Sequence, residues 1–321
     1  MSRYGRQTLL PGIGQAGQDR LARTHIAVVG AGGLGCPALQ YLAGAGIGRI
    51  TIIDPDVVEE SNLHRQPLYT MADLGRPKAQ AARDALQALN PQVEVIAQVA
   101  QLGPGKAPRL AAEADLIVDA ADSFAVSYIL SDACLEAGTP LVSASALGQT
   151  GYVGGFCGGA PSLRAVFPDL PATGATCATA GVLGPVVGVM GALQAQIALR
   201  CVLGAQPALG QMITADLSAL RFGGFSFQGS PEPENAFPFV AESMLRSSDL
   251  IVELRDPREA PEMICPGAVR LSQDDICARA RVSGQRVVLC CQSGLRAWRV
   301  AKGLHAQGDM PLALLAARAC A

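Results

Sequence analysis

The chain has 321 residues and a mass of 33.0 kDa, enough to bury a large core and to form two domains. A formal net charge of −2 and a pI near 6.0 supply no global attraction for nucleic acid or an anionic membrane surface, so neither is expected as a partner. Half of the residues are hydrophobic and only 4% are aromatic, with 36 Gly and 21 Pro, a balance that suits an α/β protein with a buried parallel sheet. The N-terminus, "MSRYGRQTLLPGIG", lacks a charged start followed by an apolar run and reads as carrying no signal peptide. Ten scattered cysteines then read as reduced thiols in the cytoplasm rather than a disulfide framework.

In chain order, "HIAVVG" is a continuous apolar run of β type, "CPALQYLAGAG" has helical spacing with a glycine stop, and "RITIID" is a second strand ending in an acid. "AAEADLIVDAAD" and "TPLVSASALG" predict later strands, with "SYILSDACLEAG" as the helix between them, and "GQMITADLSALRF" predicts late strands. Strand alternating with helix implies a doubly wound, mostly parallel, Rossmann-like α/β sheet. The stretch "AGVLGPVVGVMGALQAQIAL" approaches membrane-spanning length, but its glycines, proline and glutamines predict a buried core helix. Residues 223–247 shift to Gly, Pro, Ser and Glu and read as a linker between a first domain, 1–222, and a small second α/β domain, 248–321. The second pattern runs "DLIVELRD", "GAVRL", a short helix near "SQDDICARA", "QRVVLC" and a helix from about Leu295.

Between the first strand and the helix after it stands "GAGGLG", with Gly30, Gly32, Gly33 and Gly35. Bare glycines there let the backbone approach phosphates, and the helix N-terminus supplies partial positive charge. Asp54 ends the next strand, the usual place of a ribose-binding carboxylate. Just beyond it, Asn62, Arg65, Gln66 and Lys78 fall on a loop and a helix start. A dehydrogenase needs few cations there, because the turn already holds its pyrophosphate. Two cations and two amides suit a triphosphate and a leaving pyrophosphate instead. Asp122, in "VDAADS" at the end of a later strand, stands where a carboxylate could hold magnesium. The histidines His25, His64 and His305 form no cluster; His25 reads as structural and His64 as a further contact in the phosphate loop.

Several separate motifs coincide: "RYGRQTLLPGIGQAGQDRL", "GAGGLG", a run of the form Asp-x-Asp-x-Val-x-x-Ser-Asn-Leu-x-Arg-Gln, "GRPKA" and "GVLGPVVGVMGALQA". On these the chain resembles the ubiquitin-activating-like adenylyltransferases of the MoeB, ThiF and HesA type over residues 3–222. The resemblance implies ATP-dependent adenylation of the C-terminal glycine of a small ubiquitin-like sulfur carrier ending in Gly-Gly. It implies Gly30, Gly32 and Asp54 on the adenosine and ribose, with Gly33 in the same turn. It further implies Asn62, Arg65, Gln66 and Lys78 on the phosphates, and magnesium on Asp122. Arg6 would reach the ATP of a neighbouring subunit, hence a homodimer.

Two departures stand out. The molybdopterin members bind a structural zinc through two Cys-x-x-Cys pairs. Here the first pair falls on Ser162 and Ala165, and the second falls in "FQGSPEPENAF", which has no cysteine, so no zinc is expected. The family follows its magnesium aspartate with asparagine and, a few residues on, arginine. This chain has Ser123 and Ser127, which removes one transition-state cation.

Two cysteines are candidates for sulfur chemistry. Cys177, in "PATGATCATAGVLG", precedes the long apolar helix, a setting that favours a thiolate. In the family resembled, a cysteine there can attack the acyl-adenylate or join an acyl disulfide. In "RVVLCCQSGLRAW", Cys290 reads as the last inward residue of a buried strand and Cys291 as the start of a loop. That loop, Cys291, Gln292, Ser293, Gly294, Leu295 and Arg296, leads into a helix. Its amides should form an anion nest, with Gly294 permitting the bend and Arg296 closing it. The Cys-x-x-Gly-x-Arg spacing, with "LIVELRDPRE" and "CPGAVRL" upstream, resembles a rhodanese-like sulfurtransferase domain. Such a cysteine takes sulfur as a persulfide from a donor, either a cysteine desulfurase or thiosulfate. Cys36, Cys134, Cys157 and Cys201 read as core thiols, and Cys265, Cys277 and Cys320 fall in no motif.

The combined expectation is a two-domain adenylyltransferase and sulfurtransferase that makes a carrier thiocarboxylate. The alternatives are a non-catalytic carrier-binding scaffold, motivated by Ser123 and Ser127, and an NAD-dependent oxidoreductase sharing only the glycine turn.

Overall fold

The aliphatic, β-branched runs lie side by side in one eight-stranded sheet ordered β3-β2-β1-β4-β5-β6-β7-β8. The computed structural model of the chain describes residues 3–170, 181–234 and 236–317. The strands of this sheet are β1 (His25–Val29), β2 (Arg49–Ile53), β3 (Glu94–Gln98), β4 (Leu116–Asp119), β5 (Leu141–Leu147), β6 (Thr150–Phe156), β7 (Gln211–Asp216) and β8 (Arg221–Ser226). β3 to β5 are parallel and β5 to β8 antiparallel, so the sheet is doubly wound at one side and a meander at the other. Around it lie α1 (Gly5–Thr8), α2 (Gly14–Leu21), α3 (Gly35–Ala45), α4 (Lys78–Leu89), α5 (Ala107–Glu113), α6 (Phe124–Ala137), α7 (Leu163–Val166) and α8 (Gly184–Leu203).

Successive β1 side chains enter different cores, as the pleat requires. Ile26 and Val28 join α3, α4 and α8 on one face, while Ala27 and Val29 join α5 and α6 on the other. Burial on both faces explains why β1 and β4 read as unbroken apolar runs rather than as an alternation. By length and composition α8 could cross a membrane. In this fold it packs on α3, β5 and β6, with Val186, Val187, Met190 and Ala198 buried.

A second sheet of three parallel strands, ordered β11-β10-β9, comprises β9 (Leu250–Glu253), β10 (Val287–Cys291) and β11 (Leu312–Ala316). It carries α9 (Gln273–Ser283) and α10 (Leu295–His305). The "GAVRL" run contributes a single bridge, Val269 to Val252, rather than a full strand. Within 223–247, β8 continues to Ser226, and Phe239 pairs with Leu314 at the edge of the second sheet. The start of that stretch therefore belongs to the large sheet, and its Phe239 bridges to the second. One hydrophobic core runs from α5 and α6 through Phe156, Phe227, Phe237 and Phe239 into β9, β10 and β11.

Phe156 is fully buried and stacks on Phe227 with ring centroids 5.0 Å apart. Phe156→Ala is expected to cost about 3–5 kcal/mol, measured as a fall in the urea midpoint at unchanged slope.

Candidate functional site

The order of strands reverses between β1 and β4, and ligands of such sheets bind at that crevice, beyond the carboxyl ends of the strands. Gly30 follows β1 there with φ +96, and a Cβ on it would lie 2.5 Å from the Ala120 carbonyl oxygen beyond β4. A Cβ on Gly35 would strike the Gly30 carbonyl just as hard. Only glycine allows the turn to fold back on itself and lie against β4, which leaves bare backbone at the head of α3.

Asp54 braces the turn. Its Oδ2 accepts from Ala31 N at 2.7 Å and its Oδ1 from Asp56 N at 2.8 Å. Burial pushes its carboxyl above the usual range, against the pull of the Ala31 amide and Lys78. Each oxygen keeps a further lone pair for a ribose hydroxyl.

Lys78, the first residue of α4, is buried, and its Nζ donates to Asp56 Oδ2 at 3.1 Å. Gln66 is 3% exposed, close to Gly32, and its Oε1 has no hydrogen-bond partner among the described residues. An orphaned buried acceptor beside a glycine cradle fits a nucleotide, which brings donors of its own. Asn62 and Arg65 share the loop but make local contacts: Asn62 Nδ2 to Ser61 Oγ, and Arg65 Nη1 to the Ser61 carbonyl and His64 Nε2. Asp122 is exposed between β4 and α6. Ser127, where the family resembled places arginine, turns its hydroxyl back to the Ser123 carbonyl at 3.3 Å.

The structure thus gathers the turn, Asp54, Gln66, Lys78 and Asp122 around one crevice, and leaves Arg6 out of it. Gln7 Nε2 donates to the carbonyl of Ala45, so Arg6 sits near the far end of α3, roughly 16 Å along that helix from the glycine turn. Tyr69 and Asp56 went unread from sequence. Tyr69 Oη donates to the carbonyls of Ala31, at 2.7 Å, and Lys78, at 3.3 Å, tying the turn to α4. The available signal was the second acid of Asp-Pro-Asp; a tyrosine in mid-loop carries none.

In the second sheet Cys291 is the last residue of β10 rather than the first of a loop, and it is 1% exposed. Its Sγ accepts from Gly294 N at 3.2 Å and Ala297 N at 3.3 Å. Gly294, at φ +85, turns the chain into α10. Gln292 and Ser293 form an exposed rim. Arg296 does not cap the sulfur; its Nη1 braces the neighbouring loop through the Leu254 carbonyl and Glu259 Oε2. Cys290 points to the opposite face, where burial first and then Glu253 push its thiol well up, so it stays neutral. Cys36 and Cys157 are fully buried with thiols pushed up to about 12, chiefly by burial. Cys134 is buried too, while Cys201 is half-buried. Cys177 and Cys320 lie outside the described residues.

Comparison with known proteins bears on the first domain. The family model described as "ThiF family" matches residues 4–235. The chain is 42% identical over 240 residues to the sulfur carrier protein adenylyltransferase of Thermus thermophilus, covering 72% of this chain and 89% of that one. It is 43% identical over 241 residues to the adenylyltransferase and sulfurtransferase uba4 of Emericella nidulans, covering 72% and 49%. With the adenylyltransferase and sulfurtransferase MOCS3 of Bos taurus it shares 46% over 223 residues, covering 68% and 49%. The chain thus spans about half the length of these last two relatives. Among solved structures, E. coli MccB with MccA-N7isoASN superposes at TM-score 0.64 and 23% identity, covering 72% of this chain and 74% of that one, a likeness of fold. The family match ends before the second sheet.

Gly30→Ala is expected to abolish nucleotide binding, read as loss of the thermal shift that ATP gives the wild type. In the second domain, burial opposes ionisation of Glu253, but the bidentate Arg255 pair and the amides of Arg255 and Ile264 outweigh it and hold the carboxyl below its usual range. Its contribution to stability is complete above the unfolded value of about 4.3 and is lost as pH falls through the lower folded value. Glu253→Gln should therefore cost about 3–5 kcal/mol at neutral pH, and the gap to wild type should close in acid, as denaturant titrations at several pH values would read.

Proposed function

The chain belongs to the ThiF family, and from that premise we propose that it activates the C-terminal carboxylate of a small ubiquitin-like sulfur carrier with ATP and converts it to a thiocarboxylate. The observation that carries the reading is the pairing, in one chain, of a glycine-lined crevice holding Lys78 and Gln66 with a cysteine sulfur cradled by two amides.

In the first step a carboxylate oxygen of the carrier attacks the α-phosphorus and pyrophosphate leaves. That requires alignment and charge neutralisation more than a protein nucleophile. The glycine turn and the head of α3 align the nucleotide, and Arg65 and Lys78 meet the charge of the leaving pyrophosphate. Gln66 Oε1 accepts from the nucleotide, and Asn62 orients the phosphates. Asp122 would hold magnesium, which neutralises phosphate charge when bound. Arg6 serves the crevice of a neighbouring subunit in a homodimer; its distance from its own crevice and the exposed Leu9, Leu10 and Tyr41 support that arrangement.

In the second step Cys291 takes sulfur from a donor as a persulfide, whose negative charge the Gly294 and Ala297 amides stabilise. The terminal sulfur attacks the acyl carbon and AMP leaves. A second thiolate then attacks the Cys291 sulfur, releasing the thiocarboxylate and leaving a disulfide for later reduction. Cys177 is the candidate for that thiolate, and a reducing, cytoplasmic setting belongs to the proposal.

ATP–pyrophosphate exchange tests the first step. Exchange should require a carrier ending in Gly-Gly and fall about a hundredfold or more in Lys78→Ala. Its absence with wild type, ATP, magnesium and a series of such carriers would leave only carrier binding.

A further inference from the structure

Where the zinc ligands of the resembled enzymes would fall, this chain has built something else. Ser162 donates its backbone N–H and its hydroxyl to the two oxygens of Glu232, joining the turn before α7 to the segment that leaves the large sheet. Two residues on, Arg164 is buried. Its Nε and Nη2 grip Asp132 of α6 at 2.6 and 2.8 Å, and Nη2 also donates to the Phe237 carbonyl at 3.3 Å. The Phe237 ring stands edge-on to Trp298 and His305 of α10, at 6.3 and 5.9 Å. Lys302 of the same helix lies 2.7 Å from both oxygens of Asp169 and 5.2 Å over the Trp298 ring.

The donor set does not fit zinc. A hydroxyl and a methyl replace two thiolates at Ser162 and Ala165, and the Glu232 carboxylate is taken up by Ser162. Among the described residues no three His, Cys, Asp or Glu side chains cluster as metal ligands.

We infer that a metal-free joint, built from Ser162–Glu232, Arg164–Asp132, Phe237–Trp298 and Lys302–Asp169, seats the second domain on the first in one fixed pose. Lys302–Asp169 is exposed and contributes little alone. The buried, two-pronged Arg164 pair and the aromatic contact define the geometry. The helices extend that geometry to both sites. α6 begins just after Asp122 and reaches the joint at Asp132, while α10 begins just after Gly294 and reaches it at Trp298 and Lys302. Each chemistry-bearing loop thus sits at the head of a helix whose body is clamped, so the joint sets the spacing between crevice and Cys291. The inference rests on these contacts and not on the reaction proposed above.

Trp298 is the sole tryptophan, so its fluorescence reads the joint in the intact chain. In wild type, Trp298 emission and far-UV circular dichroism should be lost in one coincident urea transition. EDTA should leave that transition unchanged, and elemental analysis should find far less than one zinc per chain. Phe237→Ala and Arg164→Met should shift Trp298 emission to the red at urea concentrations where the dichroism is still native. They should also speed proteolysis between the domains roughly tenfold or more. Lys302→Ala should change cleavage less than about threefold. If Arg164→Met does not fold, Phe237→Ala, which removes only the ring, decides. A separate Trp298 transition in wild type, unchanged cleavage in Phe237→Ala, or one zinc per chain whose removal loosens the domains would overturn the joint.

Discussion

The contact between Gly30 and the Ala120 carbonyl is the constraint on which the crevice depends. Where the strand order reverses, the chain leaves parallel β1 for α3 on one face of the sheet and leaves β4 for α6 on the other, and a gap opens between the strand ends. The glycine turn lines that gap because nothing projects from its backbone. Asp54 holds the turn from one side through Ala31, and Tyr69 holds it from the other through the same residue's carbonyl. Lys78 reaches the crevice by way of this scaffold, anchored on Asp56, whose own amide is fixed by Asp54. A side chain at Gly30 would displace β4, and the rest of the site with it.

The second sheet repeats the logic on a smaller scale. Again a central strand ends in a glycine turn that opens a helix. In the first site the bare turn lies at the crevice, and in the second two backbone amides meet a protein sulfur, Cys291 Sγ. Both sites use the positive end of a helix against negative charge: phosphate in one proposed step, persulfide in the other.

Much of this was legible in the sequence because glycine, charge and apolar periodicity are local signals. The strand–turn–helix of residues 25–45, Asp54, Lys78 and the helix from Leu295 all fall where pattern places them. Three features were not legible. The burial of Cys291 depends on β11 covering β10, and no residue near the cysteine encodes it. The structured parts of the 223–247 stretch arise from pairing, which composition cannot show: its start is the second arm of a hairpin with Gln211–Asp216, and Phe239 bridges to Leu314, far along the chain. Nothing around Arg164 marks it in the sequence; its role comes from Asp132 and Phe237, which tertiary folding brings to it.

The proposed reaction joins two chemistries in one chain, and Cys291 is where they would meet. The most direct measurement is the intact mass of a Gly-Gly carrier after incubation with ATP, magnesium and a sulfur donor. Wild type should convert the carrier to the form in which sulfur replaces one carboxylate oxygen, whereas Cys291→Ala should stop at the acyl-adenylate. Full thiocarboxylate formation by Cys291→Ala would contradict the account.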